Sequence, residues 1–295
     1  MKTLLSISLA LALGIAGVSP AHAAEPASDV AIQHVRNATI KVRYGDQTFL
    51  VDPMLASKGA YPGFPGTYRS HLRNPMVDLP ATVESLLADV DTVIVSHTHL
   101  DHWDDAAQAE IPKTLPILVQ NSTDAALLVS QGFINVRVLD DRLEIGGVTV
   151  SRTGGRHGTE AMYDVPQLGG LLGEVMGFVF EKPGAETIYV AGDTVWHQDV
   201  PDTIERYKPD VIVLNTGDAR VDGFDTGIIM GKDDTLRVQQ LAPASKIVAV
   251  HMDAVNHMTV SRADLRAYVA AHDIAANVSI PEDGETIELQ ARKSP

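Results

Sequence analysis

The chain predicts an α/β fold of the α+β kind, and three features of the sequence carry the prediction. Three short strand-like stretches near the start are separated by only a few residues, too few for crossover helices, so they read as an antiparallel meander. From residue 82 onward, helical and strand-like stretches alternate. The strand-like stretches also end repeatedly on a metal-capable side chain, at His97, Asp193 and His251, with His157 where another runs out into glycines.

In order, Ala31–His34, Thr39–Arg43 and Thr48–Val51 read as strands, the last two joined at Gly45-Asp46. Residues 54–80 carry Gly, Pro and the aromatics Tyr61, Phe64 and Tyr68, either as a binding loop or lid or as a loop packing its aromatics on its own scaffold. A helix over Thr82–Ala88 precedes the apolar strand Thr92–Val95. A helix over Asp104–Glu110, a strand at Ile117–Gln120, a helix over Thr123–Gln131 and a strand at Asn135–Leu139 continue the alternation. Arg142–Ile145 and Val148–Ser151 form a hairpin across Gly146-Gly147, residues 159–173 read as a second loop with Tyr163, and Phe178–Glu181 pairs with Thr187–Ala191. The helix Pro201–Tyr207, strand Val211–Leu214, helix Asp233–Leu241, strand Ile247–Val250, helix Arg262–His272 and the stretches Val278–Ser279 and Thr286–Leu289 complete the chain. No internal repeat, charge block or domain linker interrupts residues 24–295, which read as a single domain.

Bulk properties narrow the function. Met1–Ala23 has a positive start, a glycine-broken apolar run and an Ala21-His22-Ala23 end, the pattern of a secretory signal, so a periplasmic or secreted protein without a membrane anchor is expected. The chain has no cysteine, which excludes thiolate chemistry and disulfides despite export. Its net charge of −15 repels phosphate backbones, and a small-molecule substrate is expected rather than nucleic acid, with Arg69 and Arg73 as a local basic patch for a small anion. Oligomeric state has no signature.

The chemistry is concentrated in His97-Thr98-His99-Leu100-Asp101-His102. Residues two apart on an extended backbone point the same way, so His97 and His99 grip one ion while the turn into the next helix swings Asp101 and His102 toward a second. Any one of these histidines alone reads as a cap or surface hydrogen-bonder; the set reads as half of a two-ion site. His157 is the candidate third imidazole for the first ion, and the strand-end carboxylate of Asp193 can bridge two cations. His251 offers a further donor. Asn215, also at a strand end, is placed either to support a ligand or to contact substrate, with Tyr61, Phe64, Tyr68 and Tyr163 as the other candidate substrate contacts.

The order His97-x-His99-x-Asp101-His102, His157, Asp193, His251 resembles the metallo-β-lactamase-fold hydrolase superfamily, over Thr39 to Ala275. Thr48–Pro53, His102-Trp103-Asp104 and Ile188–Thr194 look closest to the branch that includes ascorbate-6-phosphate lactonases and N-acyl-phosphatidylethanolamine phospholipase D. The resemblance implies a four-layer αββα sandwich with its site at one edge of two sheets. It implies His97, His99 and His157 around one ion, Asp101, His102 and His251 around a second, and Asp193 between them. The expected ions are two divalent cations, zinc by default outside the cytoplasm, with manganese or iron compatible with N/O ligands. The expected reaction is hydrolysis of an ester-type bond by a hydroxide shared between the ions, with Asp101 as ligand and proton acceptor and a lactone as the favoured substrate. Phosphodiester or β-lactam hydrolysis, a mononuclear iron dioxygenase, and a non-catalytic exported metal-binding module are the alternatives.

Overall fold

The meander forms as its apolar pattern requires. β1 (Val30–Arg36), β2 (Thr39–Tyr44) and β3 (Gln47–Val51) pair antiparallel. The computed structural model describes residues 30–289, so the signal sequence expected over residues 1–23 lies outside the described residues. β4 (Thr92–Val95), β5 (Ile117–Val119) and β6 (Val136–Val138) then add in parallel beside β3. The connections carry α1 (Val83–Leu87), α2 (Asp105–Glu110) and α3 (Ser122–Ser130). Their starts are capped by Thr82, Asp104 and Asn121, whose side-chain oxygens accept the orphan amides of the first turn.

The second sheet begins with the hairpin β7 (Arg142–Ile145) and β8 (Val148–Thr153). After α4 (Glu160–Tyr163) and α5 (Pro166–Leu172), β9 (Gly177–Glu181) pairs with β8, and β10 (Ile188–Val190) with β9. α6 (Asp199–Tyr207), β11 (Val211–Asn215), α7 (Lys232–Leu241), β12 (Lys246–Val250), α8 (Arg262–Ala271) and β13 (Val278–Ser279) follow as alternating crossovers. β14 (Thr286–Leu289) returns to the free edge of β1. Each sheet therefore has seven strands, in the orders β14-β1-β2-β3-β4-β5-β6 and β13-β12-β11-β10-β9-β8-β7.

Strand periodicity sorts the apolar side chains into layers. Phe49, Val51 and Ile94 face the second sheet and meet Phe178, Phe180, Val190 and Val213. Leu50, Val93 and Val95 face the other way onto Leu86, Trp103, Ala107 and Leu128. In the second sheet Ile212 and Leu214 face Ile204, Val238 and Leu265. Sheets inside and helices outside give the αββα order that the sequence resemblance implies.

Two segments were ambiguous or misread from sequence. Residues 159–173 were expected as a loop, yet they fold into α4 and α5, because Met162 and Leu172 bury against Met54, Ile228 and Val255 in a smaller core beneath the strand ends. Residues 54–80 contain no helix or strand, and Asn256 fastens them to the scaffold. Its side chain accepts from Phe64 N and Asn74 Nδ2 (2.9 and 2.8 Å) and donates to Tyr68 O (2.8 Å).

Candidate metal centre

Parallel register brings the strand ends to one level, the usual place for sites in such sheets. Val51 pairs with Ile94, so Asp52 stands beside Ser96 and accepts its amide at 2.7 Å. In the other sheet Val190 pairs with Val213 and Asn215 with Val250, so the chain leaves β10, β11 and β12 on the same edge with Asp193, Asn215 and His251. Gly192 makes Asp193's approach possible: its φ is +68°, and a Cβ there would lie 2.6 Å from the Met176 carbonyl oxygen.

His97, His99 and His157 converge as one group with metal-binding geometry and Asp101, His102 and His251 as another, and His97, His102 and Asp193 link them. His97 Nε2 is 2.9 Å from His99 Nδ1, and His102 Nε2 is 3.1 Å from His251 Nε2. Asp101 Oδ2 is 3.5 Å from His251 Nε2. Asp193 spans both groups: Oδ2 is 3.1 Å from His102 Nε2 and 3.7 Å from His157 Nε2, while Oδ1 is 3.5 Å from His251 Nε2.

Three of the outer nitrogens are tied off, while His251 Nδ1 is buried without a partner among the described residues. His102 Nδ1 meets Asp52 Oδ2 at 2.9 Å, His157 Nδ1 meets the Ile228 carbonyl at 2.8 Å, and His99 Nε2 meets the Leu171 carbonyl at 2.6 Å. Each such acceptor fixes a tautomer whose lone pair points inward. Inward lone pairs packed this closely repel unless a proton or a cation lies among them. Five imidazoles and two carboxylates, without thiolate, make a donor set that fits divalent zinc, manganese or iron.

The titration pattern follows. Burial, reinforced by His102 and His99, holds His97 well below the usual histidine range, and burial pushes His157 down to about 4. For His102 burial opposes the charged form, but Asp193, Asp52 and Asp101 outweigh it and raise the group well above the usual range. Burial likewise opposes ionisation of Asp193, and His102 and His251 override it, leaving the carboxyl well below its ordinary value. Without a cation the cluster thus keeps its proton on His102, and cation binding must displace it.

Supporting residues that the sequence did not single out are Asp52, Ser96 and Asn37. Asp52 Oδ2 also accepts from Ser96 Oγ at 2.7 Å, and Ser96 Oγ lies 3.1 Å from His97 Nδ1. Asn37, in the β1–β2 turn, donates its side-chain amide to Asp101 O at 3.0 Å and accepts the His251 amide at 2.9 Å, so one turn residue sets two ligand segments. The signal for Asp52 was available, since it too follows an apolar strand.

None of the candidate substrate contacts Tyr61, Phe64, Tyr68, Tyr163 and Asn215 lines the cleft over His97 and His99. Asn215 is buried and donates to Asp193 Oδ1 at 2.6 Å, so it orients that carboxylate and does not reach toward a substrate. Phe64 packs edge-on against His257, whose imidazole burial pushes down to about 4. Tyr61 stands beside Asp104 and Asp105, and burial raises its hydroxyl to about 12. Tyr68 is exposed under Arg69. Tyr163 donates to the Gly173 carbonyl at 2.9 Å. Arg69 and Arg73 spend their guanidinium groups on backbone carbonyls. The cleft that opens over His97 and His99 has a volume of about 630 Å³ and is walled by residues 120–124 and 170–174.

Two facing sheets with strand-end histidines and aspartates define a metal-dependent hydrolase of the metallo-β-lactamase fold. Residues 47–252 match the Beta-lactamase superfamily domain, and the chain belongs to that family. It is 44% identical to the UPF0173 protein YddR of Bacillus subtilis (strain 168) over 86% of this chain and 98% of that protein. Among solved structures, a possible metal-dependent hydrolase from Veillonella parvula DSM 2008 is 50% identical with a TM-score of 0.88, covering 89% of this chain and all of that one. An isothiocyanate hydrolase from Delia radicum gut bacteria is 48% identical with a TM-score of 0.86, covering 88% of this chain and all of the other. Among the described residues, no helix is long and apolar enough to cross a membrane.

Proposed function

We propose that the protein hydrolyses small uncharged electrophiles, with isothiocyanates as the substrate class, at a two-cation centre held by His97, His99 and His157, by Asp101, His102 and His251, and by Asp193 between them. The observation that carries the substrate class is the charge of the cleft. No lysine or arginine lines it, and its two peripheral carboxylates, Asp124 and Glu174, face an opening otherwise made of neutral polar groups, Leu171 and Leu172. Such walls repel a substrate bearing phosphate or carboxylate and accept a neutral one. The likeness to an isothiocyanate hydrolase supports the same reading.

Bound divalent cations would lower the pKa of water and polarise the electrophile. The chain's own contribution is positional and protonic. Asp101, kept ionised by His102 and His251 against the effect of burial, takes up the proton of the attacking water. Water adds to the central carbon of R–N=C=S, the nitrogen gains that proton, and the thiocarbamate breaks down to R–NH2 and carbonyl sulfide. Lactone hydrolysis, favoured by the sequence motifs, uses the same attack and remains the comparison substrate. The Met1–Ala23 pattern supports an exported enzyme whose mature chain starts at Ala24.

The test is metal analysis coupled to turnover of isothiocyanate, lactone, phosphodiester, thioester and β-lactam substrates. The expected result is isothiocyanate turnover that Asp193→Ala abolishes together with bound metal. Preferential hydrolysis of phosphodiesters or β-lactams would overturn the substrate assignment, and an Asp193→Ala protein as active as the parent would overturn the site.

A further inference from the structure

Leu171 is 72% exposed, whereas its neighbour Leu172 in the same short helix is buried. Helical spacing explains the difference. Leu168 and Leu172, four apart, face the core of Met54, Met162 and Val255, and this anchors α5. Leu171 is left over by that anchoring and lines the cleft above His97 and His99. Folding does not require a leucine there, and an isolated apolar side chain held in water gains nothing until something apolar covers it.

The backbone around Leu171 is held in place. Its carbonyl accepts His99 Nε2 at 2.6 Å, and one residue past the helix the Gly173 carbonyl accepts the Tyr163 hydroxyl at 2.9 Å, with the Arg156 guanidinium 4.8 Å from that ring. Both ends of the Leu171–Gly173 stretch are thereby pinned, and the side chain is presented at a set height over the histidine pair. Across the opening the facing wall is polar: Gln120 Nε2 donates to Asp124 Oδ2 at 2.9 Å, and Asn121 Nδ2 donates to Glu174 Oε2 at 2.9 Å. Leu171 is the exposed apolar surface in this cleft.

We propose that Leu171 is the specificity-determining residue of the site, covering the apolar group R of the substrate while the reactive end reaches the histidines. The proposal rests on the reading of the site as a hydrolase for neutral electrophiles, and it makes selectivity a matter of chain length. Each methylene of R that Leu171 covers is worth up to about 4-fold in apparent affinity. Because the carbonyl that holds His99 belongs to the backbone, changing the side chain leaves the metal ligand in place.

The experiment uses two ligand series with the same n-alkyl tails, isothiocyanates for kcat and KM and hydroxamates for calorimetric binding to the zinc-loaded protein. In the parent both series should tighten with each methylene. Leu171→Ala should flatten that slope and Leu171→Asn should remove it, with zinc content and melting temperature showing that the fold and the metal centre persist. If isothiocyanates are not turned over while hydroxamate binding keeps a Leu171-dependent slope, the substrate reading fails and the specificity residue stands. A parent without chain-length-dependent binding, or variants that shift all tails equally, would overturn the role of Leu171.

Discussion

Replacing Asp52 by asparagine preserves shape and removes one charge, and the hydrogen bonds around it set the consequence. Asp52 accepts three bonds, from Ser96 N at 2.7 Å, Ser96 Oγ at 2.7 Å and His102 Nδ1 at 2.9 Å. An asparagine can turn its amide nitrogen toward His102 and Ser96 Oγ. His102 then carries its proton on Nε2, and the serine hydroxyl, now accepting from the amide, donates to His97 Nδ1 at 3.1 Å and moves that proton to Nε2 as well. One ligand of each group loses its inward lone pair. The other orientation sets the amide nitrogen against the Ser96 N–H and leaves a buried donor unsatisfied, at about 1–3 kcal/mol. Either way the loss corresponds to about 10–100-fold in metal affinity.

A second effect has the opposite sign. Asp52 is one of the carboxylates that raise His102, so the asparagine variant gives up its competing proton more readily. That relief operates only below the raised pKa of His102 in the parent. The deficit of Asp52→Asn should therefore be smaller at pH 6.5 than at pH 9, because proton competition weakens as pH rises while the tautomer penalty remains. Chelator competition at the two pH values measures it, with ion stoichiometry by elemental analysis. An asparagine variant that binds both ions with the parent's affinity at pH 9 would refute the reasoning.

The metal-free protein should lose stability as pH falls from about 6.5 to about 4. His157 and His257 are neutral in the fold with values near 4, the unfolded chain protonates them near 6.5, and the unfolded state binds more protons across that window, costing up to about 3 kcal/mol for each group. His102 is protonated in both states below 6.5 and does not offset this loss, and zinc should shift the urea midpoint at pH 5 less than at pH 8. Gly192→Ala should destabilise by about 1–3 kcal/mol through its positive φ and the Met176 carbonyl, and should lower metal content further by displacing Asp193; unchanged urea midpoint and metal content would contradict that role.

The cluster was legible because it is written in side chains at a regular position. Apolar strands ending in His97, Asp193 and His251 can be read directly, and parallel register makes those ends meet. Asp52 follows the same rule, but Asp-Pro after a strand also reads as a simple stop, and only its 2.9 Å contact with His102 separates the two. The Ile228 and Leu171 carbonyls carry no residue identity and could not be read. The aromatics of residues 54–80 are compatible from sequence with either a binding loop or a loop packed on its own scaffold, because aromatics in a long loop serve both ends. Asn256 binds that loop to the scaffold, while the cleft wall came from α5, whose Gly169-Gly170 pair hides the helical pattern.

The distribution of charge ties these observations together. The ligand set concentrates two carboxylates and a raised His102 at the centre, and the cleft wall adds Asp124 and Glu174. Two bound divalent cations would more than offset the two carboxylates of the centre but would leave the wall unchanged, so an approaching anion meets repulsion at the opening before it meets the ions. A neutral electrophile meets no such barrier, and its apolar part finds Leu171 at the entrance. On this arrangement raising ionic strength should speed any residual hydrolysis of anionic esters by screening the wall, and leave neutral substrates unaffected. Equal salt dependence for the two substrate types, read as kcat/KM between low and physiological salt, would remove the electrostatic argument for a neutral substrate.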